Sequence, residues 1–109
     1  MAMELIKDIV KRLVEGLDPD IELVRIYAYG SRVRGNYEIG SDLDLLVELR
    51  QVTPVFKRQI QDKAWELSLD AGFVISVIIV SEEAFERGVI SISELAENIR
   101  RHGVEITAA

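Results

Sequence analysis

Apolar residues in this chain switch repeatedly between a helical and a strand-like period, and that switching limits the fold more than any other feature. Leu5, Ile6, Ile9, Val10, Leu13, Val14 and Leu17 recur at helical spacing until Gly16 and Asp18-Pro19 close the pattern. Segment 21–29, IELVRIYAY, is rich in β-branched and aromatic residues and stops at Gly30, which predicts a first strand. A second strand is expected over 44–49, beginning at Asp42, with Leu43, Leu45 and Val47 on one face and Asp42, Asp44, Leu46 and Glu48 on the other. Beyond Pro54 the period is helical again, with Phe56, Ile60, Ala64 and Leu67 on one stripe that Trp65 and Leu69 widen before Gly72. Segment 73–80, FVISVIIV, predicts a third strand. Ser81 is the expected N-cap of a short helix that opens with Glu82 and Glu83 and ends at Gly88. The tetrapeptide SISE, 91–94, has capping-box spacing for a last helix, with Ile92, Leu95, Ala96 and Ile99 buried and Gly103 at its end.

With 109 residues there is room for one domain, 1–109, of α/β or α+β class. No internal repeat, low-complexity tract or linker divides it. Thirteen basic against nineteen acidic residues give a net charge of -6, which argues against generic binding to a nucleic-acid backbone. Without cysteine, and with His102 as the single histidine, neither a disulfide framework nor a thiolate or histidine metal cluster is available. The start, MAMELIKDIVKRLVEGL, scatters its charges and does not read as a signal peptide, so a cytoplasmic location is expected. The longest apolar run, 71–80, falls far short of the roughly 20 residues a membrane helix needs, so no membrane contact is expected.

One stretch does not reduce to packing: YAYGSRVRGNYEIGSDLDLLVEL, 27–49. Gly30 and Ser31 stand where the first strand ends, and SRVRG has the length of one or two helical turns. Unpaired N–H groups at such a point make a site for phosphate oxygens. Gly30 permits close backbone approach, the Ser31 hydroxyl can donate, and Arg32 and Arg34 add charge-assisted donors. Asp42 and Asp44, two apart on a strand, leave the same face and can share divalent cations. Two Mg²⁺ ions bridging a triphosphate there would activate an attacking oxygen and stabilise departing pyrophosphate. Taken singly, Gly-Ser-Arg is usually a loop and Asp-x-Asp usually a solvated strand edge. Their conjunction carries the functional reading, because the hairpin returns two carboxylates to a phosphate-holding turn.

Gly30-Ser31, ten intervening residues and Asp42-x-Asp44 resemble the signature of the DNA polymerase beta-like nucleotidyltransferase superfamily. The whole chain is similar in size to the minimal nucleotidyltransferases, which consist of that catalytic core. The resemblance implies a small mixed sheet flanked by helices. It also implies Mg²⁺, two ions, on Asp42 and Asp44 as catalytic ligands, and a nucleoside triphosphate, ATP first, bound at Gly30, Ser31, Arg32 and Arg34. The implied chemistry is transfer of a nucleoside monophosphate to a hydroxyl with loss of pyrophosphate. Minimal members are often paired with a helical HEPN-type protein, and some act as antitoxins that adenylylate a toxin tyrosine; self-association stays open.

One departure stands out, since the family usually supplies a third carboxylate from the next core strand and the matching position is Ser76. A serine neither holds metal as an anion nor serves as a base. Glu48, then Glu38, Glu82 or Glu83, are the substitutes within the chain. The competing reading is a catalytically degenerate module that binds nucleotide or acts as an antitoxin by contact. A drug-modifying transferase is weakened by the missing C-terminal domain that would hold the drug. Trp65 is expected in the core, Tyr27 and Tyr29 around the end of the first strand, and His102 at a favourable helix C-terminus.

Overall fold

The computed structural model describes residues 3–30 and 42–106. Its elements are α1 (Met3–Glu15), β1 (Leu23–Tyr29), β2 (Leu43–Leu49), α2 (Pro54–Ala71), β3 (Ile75–Ser81), α3 (Glu82–Glu86), a 3-10 turn (Val89–Ile92), α4 (Glu94–His102) and β4 (Val104–Glu105). The strands form one mixed sheet in the order β3-β2-β1-β4. β1 is antiparallel to both β2 and β4, whereas β2 and β3 run parallel and are joined by α2. Parallel neighbours need such a crossover.

The alternation expected along β2 sorts the molecule into two cores. Leu43, Leu45, Val47 and Leu49 join Ile26, Ala28, Ile75 and Val77 beneath α1 and α2, which contribute Ile6, Ile9, Val10, Leu13, Ile60, Ala64 and Leu67. On the opposite face Leu46 and Val80 meet Phe85 of α3 and Ala96 and Ile99 of α4, with Tyr27 and Tyr29 at the margin. That second core is small because the same face also carries Asp44, Ser76, Glu48 and Arg25.

Local chemistry sets the boundaries. Thr53 caps α2 by accepting from the Phe56 N–H at 3.1 Å, Pro54 opens it, and Gly72 ends it at φ 81, a left-handed value suited to glycine. The buried Ser68 hydroxyl donates to the Ala64 carbonyl at 2.8 Å and accepts from the Ile75 N–H at 2.9 Å, tying α2 to the start of β3. Ser81 caps α3 as expected, accepting from the Ala84 N–H at 3.1 Å.

Several expectations are corrected. β1 begins at Leu23 rather than 21, because the Ile21 N–H is taken by the Asp18 carbonyl at 3.0 Å in a turn. Ser93, not Ser91, caps α4, accepting from the Ala96 N–H at 3.1 Å, while the Ser91 hydroxyl donates to the Gly88 carbonyl. Ile92 therefore sits in the 3-10 turn and is exposed instead of lining α4. Trp65 and Leu69 are 65% and 66% exposed, because β3 is the sheet's edge and α2 buries only the stripe through Ile60, Ala64 and Leu67. β4 was not expected, since two residues carry no period. Among the described residues no helix is long and apolar enough to cross a membrane.

Candidate functional site

Three strands bring the site together at one end of the second face. Antiparallel pairing sets Tyr29, the last residue of β1, opposite Asp44, and parallel pairing sets Ser76 of β3 on the other side of Asp44. Paired residues share a face, so Tyr29, Asp44 and Ser76 form a row across the sheet. The Leu43 N–H donates to the Val74 carbonyl at 2.9 Å, which fixes where β2 enters the sheet. Asp42 precedes β2 by one position and is partly exposed. Two strand rises of roughly 3.3 Å put it about 6.6 Å from Asp44 along the chain.

Gly30 follows Tyr29 with φ 91, a backbone conformation that side-chain-bearing residues rarely adopt. A Cβ there would collide with the Asp44 carboxylate oxygen Oδ2. The backbone of the glycine turn and the carboxylate on β2 are therefore packed against each other, although fourteen positions separate them in sequence (44 − 30). Ser31, Arg32 and Arg34, and with them Tyr37 and Glu38, lie outside the described residues.

Partial burial raises the Asp44 pKa above the ordinary carboxylate value, and the neighbouring charge of Asp42 raises it further. Tyr29 is raised by burial first and by Asp44 second. Among the described residues no basic side chain forms an ion pair with Asp42 or Asp44. A pair of half-buried carboxylates with no ion pair to a described basic side chain fits a hard divalent cation, which takes oxygen ligands and would relieve their repulsion. Two carboxylates are what this end offers, for among the described residues no group of three or more acidic or histidine side chains is placed to hold a metal.

The substitutes for a third carboxylate are elsewhere. Glu48 lies four positions along β2, roughly 13 Å at about 3.3 Å per residue, where it is fully buried against Arg25. Glu82 and Glu83 open α3 after Ser81, which pairs with Leu49 at the far end of β2. Ser76 itself pairs with Asp44 across β2 and β3. Its face neighbours Val74 and Ile78 are 53% and 36% exposed, so this side of the site is an open apolar surface rather than core. It continues into a shallow depression of about 310 Å³ lined by Trp65, Leu69, Phe73 and Val74 among others. Tyr29 is the residue that sequence reasoning placed only as packing. The cross-strand register that makes it a neighbour of Asp44 could not be read through a connection as long as 30–42.

A family model described as a nucleotidyltransferase domain matches residues 3–104. No curated protein sequence matches the chain. Among solved structures, one assigned as a minimal nucleotidyltransferase is 25% identical, covers 95% of each chain and superposes with a TM-score of 0.56. A toxin–antitoxin crystal structure with AMP-PNP is similar over 94% of this chain and 73% of its own, at 17% identity and TM-score 0.59. A structure of the tri-AMPylated Shewanella oneidensis HEPN toxin in complex with MNT antitoxin is similar over 99% and 74%, at 17% identity and TM-score 0.56. At 17% identity the last two bear on the fold alone.

Proposed function

Because the chain belongs to the nucleotidyltransferase domain family, we propose that it transfers a nucleoside monophosphate, AMP from ATP, to a hydroxyl carried by a protein partner. The observation that carries this reading is the packing of the Gly30 backbone against the Asp44 carboxylate. It joins the turn that would hold phosphates to the carboxylate that would hold Mg²⁺. Asp42 and Asp44 would be the metal ligands, and Gly30, Ser31, Arg32 and Arg34 the triphosphate's donors. Bound Mg²⁺ would supply charge neutralisation of the phosphates and lower the cost of ionising the acceptor hydroxyl. Tyr29 pairs with Asp44 on one side, while the open surface of Val74, Ser76 and Ile78 on the other leaves room for an incoming acceptor.

A helical HEPN-type protein is the partner we infer, supported by the fold shared with MNT antitoxins in HEPN complexes. Val74 and Ile78, on the strand that carries Ser76, and Trp65 and Leu69 of α2 around the depression that Val74 shares are exposed apolar side chains that a docked protein would cover. A second reading is favoured by Ser76, whose place next to Asp44 leaves the acceptor proton without a basic side chain from this strand. In that reading the chain binds MgATP, or its partner, without efficient transfer. General-base assistance contributes typically 10²- to 10⁴-fold, about 3 to 5 kcal/mol of barrier.

Single-turnover AMP transfer from labelled ATP, with and without the protein encoded alongside, separates the readings. Weak transfer by the natural chain and a gain in Ser76→Asp are expected. Robust transfer unchanged in Ser76→Ala would place the base elsewhere, and MgATP binding without transfer in either form would favour the module.

A further inference from the structure

We propose that Glu48 holds a proton in the folded protein well above the pH at which a solvated carboxyl releases it and hydrogen-bonds through it to Glu86, making the pair a pH-dependent latch that fastens α3 to the sheet. The Glu48 side chain is 0% exposed, one of two polar or charged residues among the described buried ones. Its Oε1 is 3.5 Å from Arg25 Nη1, a long contact. Its Oε2 finds no hydrogen-bond donor. The same Arg25 is closer to two other carboxylates, with Nη1 3.1 Å from Glu86 Oε1 and Nε 3.2 Å from Glu105 Oε1. One guanidinium thus faces three carboxyls, and full ionisation would leave a net charge of −2 (+1 − 3) around a fully buried side chain. A buried charge in that position is costly unless it is paired and hydrogen-bonded.

A proton on Glu48 resolves both problems. It removes the excess charge and turns an unpartnered acceptor into an O–H donor toward the Glu86 carboxylate, while Oε1 continues to accept from Arg25. The charged and titratable groups around the pair are Arg25 and Tyr27 from β1, Glu105 from β4 and Glu86 from α3. Arg100 of α4 is committed to the Ser91 and Phe85 carbonyls at 2.7 and 3.1 Å and stacks over the Phe85 ring. On β3 the residue paired with Glu48 is Val80. Burial, followed by the charge of Glu86 and a hydrogen bond to it, pushes Glu48 up to about 7, against the opposing pull of Arg25. Glu86 is the last residue of α3, beside the buried Phe85 that packs on Tyr27, so the shared proton spans helix and sheet.

The folded chain then holds a proton that the unfolded chain releases, from the ordinary glutamate value of 4.5 up to about 7. Its contribution to stability is complete below that window and is lost as pH rises through about 7. Within the window the unfolding constant should rise by up to about tenfold per pH unit. Carbon-13 titration of the side-chain carboxyls in the full chain tests this directly. Glu48 is expected to titrate near 7, and Glu86→Gln to move that midpoint down by removing the neighbouring charge. Glu48→Gln, whose amide can donate to Glu86, should remove the added pH dependence of unfolding. A Glu48 midpoint below about 5, or the same pH dependence in Glu48→Gln as in the natural chain, overturns the proposal. The titration of the natural chain decides even if the variant does not fold.

Discussion

Asp44 and Glu48 occupy the same face of the same strand, four positions apart, and the fold treats their carboxyls in opposite ways. Around Glu48 it supplies a guanidinium, two further carboxyls and a cover of α3, so the group is sealed from water. Around Asp44 it supplies a second carboxylate, a tyrosine, a serine and a glycine turn, with an open flank toward Ile78 and Val74. Both carboxyls are raised, Glu48 strongly, yet the larger shift belongs to the end that has no room for a ligand. A perturbed pKa therefore does not locate a ligand site by itself; accessibility has to be read beside it.

The largest effect expected from this contrast is on binding. Asp44→Asn should weaken MgATP affinity by 100-fold or more, about 2.7 kcal/mol at roughly 1.4 kcal/mol per decade, while its unfolding midpoint holds or rises because a like-charge pair is relieved. Glu48→Ala should do the reverse, losing about 1 to 3 kcal/mol of stability through the cavity and the lost hydrogen bond with MgATP affinity of the folded chain within about twofold. Calorimetric titration and urea unfolding of both variants read the two quantities. A stability loss in Asp44→Asn with unaltered binding would invert the comparison.

A smaller effect is expected at Gly30. Alanine there must take a left-handed φ and meet the Asp44 carboxylate, which should cost about 1 to 2 kcal/mol and weaken MgATP binding together with stability. Unchanged urea midpoints in Gly30→Ala would mean that the turn and the carboxylate are not in contact.

The pH dependence gives a subtler distinction. Both raised carboxyls stabilise the fold when protonated and lose that contribution as pH rises, Glu48 through about 7. Added Mg²⁺ should favour ionised Asp44 and cancel its share, leaving the share of Glu48 unchanged. Thermal unfolding between pH 5 and 8, with and without Mg²⁺, would show one component abolished and one kept. The smallest stability effect is expected at Trp65, where serine should shift unfolding by less than about 0.5 kcal/mol while reducing capture of the partner protein.

Much of this arrangement was legible in the chain. The helical and strand periods located α1, β1, β2, α2 and β3 to within a few residues, because each buries one face and so must repeat its apolar positions. The placing of Asp42 and Asp44 on one face follows from strand geometry alone, and Ser76, singled out through the resemblance, pairs with Asp44 in the parallel register. Trp65, Leu69 and Ile92 were misplaced because periodicity tells which stripe is apolar and not how wide a neighbour covers it. Ser91 was mistaken for a cap because the capping-box spacing occurs two residues before the turn that uses Ser93.

What the sequence determined by itself is therefore local: the periods, the glycine-serine turn, the two aspartates on one face and the serine in the next apolar run. Tertiary structure decided which of these meet. A carboxylate's partners depend on strand register and on which helix lies above it, and neither is encoded in the few residues on either side. Hence Asp44 and Glu48, alike in the one-dimensional pattern, end as a half-buried carboxylate against Gly30 and a fully buried carboxyl near α3.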